Sequence, residues 1–372
     1  MELSVEKSLL LKELNLTQGV VERKTTIPIL SNLLLEAGDS SLRISATDLE
    51  LGICCGCSAK IKKEGAGTIP AKRLFEIVRS LPEKEVKLKL LENHWVQVTC
   101  ERASFKLVGM AKDNYPTLPT LPEALVSLPA DVLSTMIKRT IFSISSEESR
   151  YTLNGALLIL KPDNVAMVAT DGHRLALIES DLEVAGLKNE LRILIPKKAM
   201  AELQRLLAEA EKDSKVGLSK DESHLYFSMG HRILISRMLT GQFPNYEAVL
   251  PRENKLVIEL DKDVLSTAIR RVALLADQRS RAVRLKLADG QMEISSSSGE
   301  FGEAHEVLEV PYSGDPLQVG FNYEYLLDFL NVVDDGNGKV RLELKDEQSA
   351  GQMRSGEEKT FRYRYVVMPM RV

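Results

Sequence analysis

The nine residues Asp131 to Arg139, DVLSTMIKR, return at Asp263 to Arg271 as DVLSTAIRR, with seven of nine positions identical. Both copies put apolar residues at helical spacing, Leu133, Met136, Ile137 and Ile141 in one and Leu265, Ala268, Ile269 and Val272 in the other. A weaker copy, Val5 to Leu14, opens the chain. The copies start about 124 and 132 residues apart, too far for a solenoid repeat, so the 372 residues read as three duplicated domains. Their expected limits are 1–122, 123–249 and 250–372.

A second helix recurs as well. Thr68–Val78 matches Leu194–Leu203, each a strand ending at a proline that can occupy the first helical turn. The third counterpart is Gly320–Leu330, with Asn322 as its expected N-cap. Between the helices lie short alternating runs such as Val86–Leu90, Val283–Leu287 and Val340–Leu344, separated by turn residues. Such runs make antiparallel sheet with one wet face. The fold class is therefore α+β: three tandem pseudo-repeated domains, each two helices backed by antiparallel β-sheet. Proline-rich joints, Tyr115–Pro122 and Phe243–Pro251, separate them.

Composition excludes some functions. No apolar run approaches a membrane span of about 20 residues. The start, Met1 to Lys7, lacks a basic stretch followed by an apolar core, so no signal peptide is read and a cytoplasmic location is expected. The net charge of −4 does not announce a nucleic-acid binder, so any positive surface must be local. Cys54, Cys55 and Cys57 lack a second ligand pair at metal spacing and read as small residues of a buried strand; no metal or cofactor is expected.

The segment Ala169–Ala176, Ala-Thr-Asp-Gly-His-Arg-Leu-Ala, closes an apolar strand with an Asp-Gly turn. It could be a catalytic Asp171–His173 pair of a hydrolase or the wall of a binding groove. No nucleophile elbow, phosphate-binding loop or paired-histidine metal motif accompanies it. Ala46-Thr47-Asp48 stands at the equivalent place 123 residues earlier, without a histidine. The shared Thr-Asp is thus expected to end a strand, and Gly172–Leu175 is what the second copy alone adds.

With Ile27–Leu35, Ala46–Glu50, Ala169–Ala176, Phe243–Tyr246 and Tyr365–Arg371 in this order over its full length, the chain resembles the bacterial DNA polymerase III beta subunit, the sliding clamps. The resemblance implies a head-to-tail homodimer, a ring of six similar domains with helices lining the hole and sheets outside. Such a ring encircles duplex DNA without sequence preference, tethers the replicative polymerase, and catalyses nothing. It implies DNA-facing roles for Arg23, Lys24, Lys72, Arg73, Arg79, Arg139, Tyr151, Lys197, Lys198, Arg270 and Arg271. Residues 72–79 and 197–205 each carry +2, whereas the helix around Tyr323–Leu330 carries Glu324 and Asp328 and departs from the pattern.

The resemblance also implies a pocket for short linear peptides of polymerase and clamp-loader subunits. Its wall includes Leu153, Thr170, Gly172, His173, Arg174, Leu175, Pro244, Val249, Val366, Met368, Pro369, Met370 and Arg371. The apolar members form an adaptable pocket, and His173, Arg174 and Arg371 are expected to hydrogen-bond an extended peptide. Ring closure needs two different surfaces. The expected ones are Arg102, Phe105 and Lys106 on one edge strand, and Glu300, Glu303 and Glu306 with Leu274 and Leu275 on the other. A repeat scaffold that binds only proteins is the remaining alternative; cations at repeated helix positions speak against it.

Overall fold

The computed structural model describes all residues except 23–25, 148, 334–337, 357–359 and 372. One order of elements recurs three times: a strand, a helix, four strands, a second helix and three strands, with one additional short strand, Lys60–Lys63, in the first copy. The first helices are α1 (Lys7–Thr17), α3 (Ala130–Thr140) and α5 (Lys262–Val272). The second are α2 (Ala71–Ser80), α4 (Lys197–Leu207) and α6 (Tyr323–Val332).

The apolar stripes read from the sequence are the buried ones. Leu74 and Val78 on α2, Leu133, Met136 and Ile137 on α3, and Leu265, Ala268, Ile269 and Val272 on α5 are all buried. Asn322 caps α6 by accepting from the Glu324 N–H at 2.9 Å. Asp261 caps α5 in the same way, accepting from Asp263 and Val264. Pro70 and Pro196 differ from expectation by one position: each is the last strand residue, and the helix begins at the next.

The chain divides into two compact units, residues 1–134 with 198–238, and residues 135–197 with 239–372. Each holds an eight-stranded antiparallel sheet. In the first unit, Arg232–Arg237 pairs with Leu51–Ser58, placing Leu234 opposite Ile53. In the second, Arg174–Ser180 pairs with Arg362–Val367, placing Leu175 opposite Val366. Strands of the middle third thus complete sheets begun by the other two, a continuity that reading the thirds separately misses. Each unit also has a smaller sheet: five strands ending at Ala103–Val108 in the first, four strands ending at Gly302–Glu309 in the second.

A buried ion pair supports the first unit's join. Arg232, on the joining strand, donates to both carboxylate oxygens of Glu13 on α1, at 2.5 and 3.1 Å. Cys54 and Cys55 are buried in Leu51–Ser58. Burial, then the charge of Glu13, pushes the Cys57 thiol up to about 12. Among the described residues, no cluster of three or more His, Cys, Asp or Glu could hold a metal, and no helix is long and apolar enough to cross a membrane.

The Thr-Asp segments form twin turns. Asp48 Oδ1 accepts from the N–H groups of Glu50 and Leu51, and Asp171 Oδ1 from those of His173 and Arg174. Thr47 and Thr170 each accept from the N–H two residues on and donate to the carbonyl four residues on. The central residue is left-handed in both: Gly172 at φ 91° and Leu49 at φ 79°. In the third copy the hairpin loop is one residue shorter, and Ser298 alone accepts from Glu300.

Glycine fits this conformation without strain, whereas a side chain is penalised by about 1–2 kcal/mol. Gly172→Ala is therefore expected to destabilise by about 1 kcal/mol or more, the more so because the new Cβ would lie 2.9 Å from an Arg150 guanidinium nitrogen. Leu49→Gly should fall within about 1 kcal/mol of neutral, relief of strain offsetting the freer unfolded chain. Urea unfolding midpoints of the two variants check both.

Candidate functional site

The second unit's joining strands bring the segment after Thr170 to the chain's last residues. Past the Leu175–Val366 pair, the Met368 N–H donates to the His173 carbonyl at 2.9 Å, and the Met370 N–H to the Gly320 carbonyl at 2.8 Å. These two bonds fix Met368–Arg371 alongside the turn. Leu175 and Val366 are 2% and 1% exposed and belong to an apolar cluster with Leu157, Ile159, Ala166, Val168 and Leu177. Phe243, Tyr246 and Leu250 pack against that cluster. Leu153 is buried as well, while Pro244, Val249, Met368, Gly172 and His173 are exposed. Leu175 and Val366 are therefore buried, while Met368, Val249 and Pro244 remain accessible. Pro369, Met370 and Arg371 also line a cavity of about 490 Å³ with Gln318, Gly320, Glu347 and Gln348.

Successive side chains of a strand point to opposite faces, so with Leu175 in the outer cluster Arg174 points to the helix side. Its Nε donates to Asp171 at 2.9 Å, its Nη1 to Asp328 of α6 at 2.5 Å and to the Tyr365 hydroxyl at 3.4 Å, and its Nη2 to the Phe142 carbonyl at 2.7 Å. The guanidinium also lies 4.3 Å from the Tyr325 ring centre and 5.4 Å from that of Phe142. Burial is the largest influence on it and opposes its charge, but Tyr365, Asp328 and Asp171 outweigh burial and its pKa is raised. Four hydrogen bonds inside the chain thus already hold Arg174, which was expected to hydrogen-bond a bound peptide.

Asp171 has the plain role its repeat suggested. One oxygen caps the turn and the other pairs with Arg174. A carboxylate so engaged is not poised to orient His173 as a base.

The cations divide into three groups. Lys72 and Arg73 are exposed on α2 and share Glu76 at 3.9 and 3.1 Å, while Arg79 lies over the Phe75 ring. Tyr151 is 70% exposed, Lys197 and Lys198 are exposed, and Lys198 pairs with Asp48. Arg270 is exposed and donates to Asn331. Arg139 is a correction: it is 5% exposed, lies over the rings of Phe361 and Tyr363, and cannot face DNA. Its neighbour Lys138 is the exposed cation of α3. Arg271 is exposed and forms a two-armed pair with Glu306 on the edge strand of the four-stranded sheet. Arg23 and Lys24 lie outside the described residues.

The acidic helix α6 acquires an explanation. Asp328 pairs with Arg174 and Glu324 with Arg281, so both carboxylates are neutralised locally. Sequence reasoning missed Phe142, Tyr325 and Asp328 as partners of Arg174; the departure of α6 from a basic pattern was the one available signal.

Both proposed ring edges are outer strands. Ala103–Val108 ends the five-stranded sheet, with Arg102 and Lys106 exposed and Phe105 half-buried. Gly302–Glu309 ends the four-stranded sheet, with Glu300 and Glu303 exposed. Leu274, in the short turn Ala273–Leu275, is 80% exposed; Leu275 is half-buried.

Three copies of two helices and antiparallel strands define the architecture of a DNA clamp. Family profiles described as the N-terminal, central and C-terminal domains of the DNA polymerase III beta subunit match residues 1–119, 127–245 and 247–371. Proteins named beta sliding clamp from Pseudomonas aeruginosa and Escherichia coli are 35% and 33% identical, each over all of both chains. A solved sliding clamp from Pseudomonas aeruginosa, bound to griselimycin, superposes with a TM-score of 0.93 at 34% identity over all of both chains. One from Bacillus subtilis gives 0.91 at 26%, covering all of this chain and 99% of its own. The chain belongs to the DNA polymerase III beta subunit family, the bacterial beta sliding clamps. It is a DNA sliding clamp, a processivity factor of replication and not an enzyme.

The Arg271–Glu306 pair supplies a pH test. Its hydrogen bond holds the Glu306 carboxyl below the ordinary glutamate range. A depressed carboxylate contributes stability above its unfolded pKa and loses it as pH falls through the folded one. A double-mutant cycle with Arg271→Ala and Glu306→Ala should show coupling at neutral pH that vanishes in acid below that range and weakens with salt, as expected for an exposed pair.

Proposed function

We propose that the groove framed by Gly172–His173, Pro244, Val249 and Met368–Arg371, over a floor of Leu175 and Val366, receives short linear peptides of the replicative polymerase and clamp-loader subunits. The observation that carries this reading is the backbone bond from Met368 to His173, which seats the last residues beside a turn whose Gly-His-Arg contents belong to the second copy alone. Two methionines beside an apolar floor suit Leu or Phe side chains of varied clients.

In the same reading the chain comprises clamp domains 1–122, 123–249 and 250–372, and works in the cytoplasm. Lys72, Arg73, Arg79, Lys138, Tyr151, Lys197, Lys198 and Arg270 face duplex DNA. Contacts of this kind go to phosphates, carry no sequence information and weaken with salt, which suits a ring that must slide. Ala103–Val108 of one subunit meets Gly302–Glu309 of another, head to tail. Arg102 and Lys106 complement Glu300 and Glu303, while Phe105 and Leu274 supply apolar area, since exposed ion pairs alone contribute only about 0–1 kcal/mol each.

Two experiments test this. A peptide of the Gln-Leu-x-Leu-Phe kind should bind, and removal of residues 370–372 should weaken it about tenfold or more, as expected for losing roughly 1.4 kcal/mol or more of contact. Unchanged affinity by fluorescence anisotropy would remove the groove assignment. Glu300→Lys with Glu303→Lys should shift sedimentation from dimer toward monomer; an unshifted profile would count against this edge pairing.

A further inference from the structure

We infer that Asp328, on helix α6, is a positioning residue for the peptide groove: acting through Arg174, it holds the Thr170–Leu175 wall in its peptide-competent shape. The inference rests on the groove reading above. Asp328 lies on helix α6, on the helix side of the sheet, and among the described residues it is tied to the Thr170–Leu175 turn through one guanidinium.

The geometry leaves Arg174 few alternatives. Its side chain is 10% exposed, so its charge depends on protein partners. Asp171 and Asp328 are the two carboxylates it pairs with, at 2.9 and 2.5 Å. Asp171 is the residue that shapes the turn, since its other oxygen holds the N–H groups of His173 and Arg174. The guanidinium therefore pulls in two directions, on the turn through Asp171 and on α6 through Asp328. The rings of Tyr325 and Phe142 restrict its plane. Without the Asp328 charge, a buried cation loses one of its two counter-ions. It can recover only by leaning further on Asp171 or by moving toward water. Either shift displaces His173, whose carbonyl anchors Met368, so both sides of the groove change together.

The first unit shows the same task solved differently. There the turn aspartate, Asp48, pairs directly with Lys198 of helix α4. In the second unit helix α6 carries a carboxylate, so turn and helix present like charges. Arg174 bridges them, and that bridge is what makes the groove-bearing turn depend on α6.

The test compares three variants of the full chain by anisotropy with the Gln-Leu-x-Leu-Phe peptide. Asp328→Asn should weaken binding about five- to tenfold through the loss of one charged partner. Asp328→Glu, which keeps the carboxylate, should recover most of it. Glu324→Gln removes the same charge one turn earlier on α6, where it pairs with Arg281 instead, and should leave affinity unchanged. Amides of residues 171–175 should exchange faster in Asp328→Asn, while the urea unfolding midpoint stays close to that of the wild type; a merely structural role would lower the midpoint first. Wild-type affinity in Asp328→Asn, or equal weakening by Glu324→Gln, would overturn the inference and leave the groove standing. Failure of the unaltered chain to bind the peptide would remove the groove reading, and this inference with it.

Discussion

The pairing of strands across repeats is the constraint on which the rest depends. A strand left at the edge of a sheet exposes a row of N–H and C=O groups and invites pairing with another chain. Here Leu51–Ser58 is covered by Arg232–Arg237, and Arg174–Ser180 by Arg362–Val367. Each pairing closes an edge and at the same time brings together residues that lie far apart in the chain. The second does this for the chain's last residues: without the register that sets Leu175 opposite Val366, neither Met368 nor Met370 would lie near the Thr170 turn.

Electrostatics follow the same economy. The chain is acidic overall, yet the carboxylates that would disturb its basic faces are matched one by one. Glu324 meets Arg281, Asp328 meets Arg174, and Glu306 meets Arg271. Exposed cations such as Lys72, Arg73, Lys138 and Arg270 lie on helices that recur in each copy, with Lys72 and Arg73 sharing the single carboxylate of Glu76. Locally cationic helix surfaces can therefore coexist with a net charge of −4.

Much of this was legible in the sequence. Helical periodicity identified the buried stripes of α2, α3 and α5, Asn322 announced its cap, and alternation located the strands, because local spacing decides these features. The role of Asp171 was also readable, since its repeat partner Asp48 lacks a histidine. Three things were not legible. Lys138 and Arg139 are adjacent cations, and one residue is a 100° step around a helix, so only packing against Phe361 and Tyr363 shows which is buried. Arg271 finds Glu306, 35 residues away, across a sheet edge. Beyond Asp171 in its own turn, the partners of Arg174 come from three separate segments, at Phe142, on α6 and at Tyr365, which no local pattern can bring together.

The twin turns carry a consequence for how a duplicated chain can diverge. Their shape is written in the side chains of Thr and Asp, which satisfy the backbone of the loop they open. The residues enclosed differ between the copies: Leu-Glu-Leu stands in one and Gly-His-Arg in the other. A loop framed from outside can change its contents while the strands around it keep their register. In both copies a loop carbonyl, of Glu50 or His173, accepts from the strand that joins it, so what the second copy changed is the side chains set beside Met368, while its twin holds a helix through Lys198.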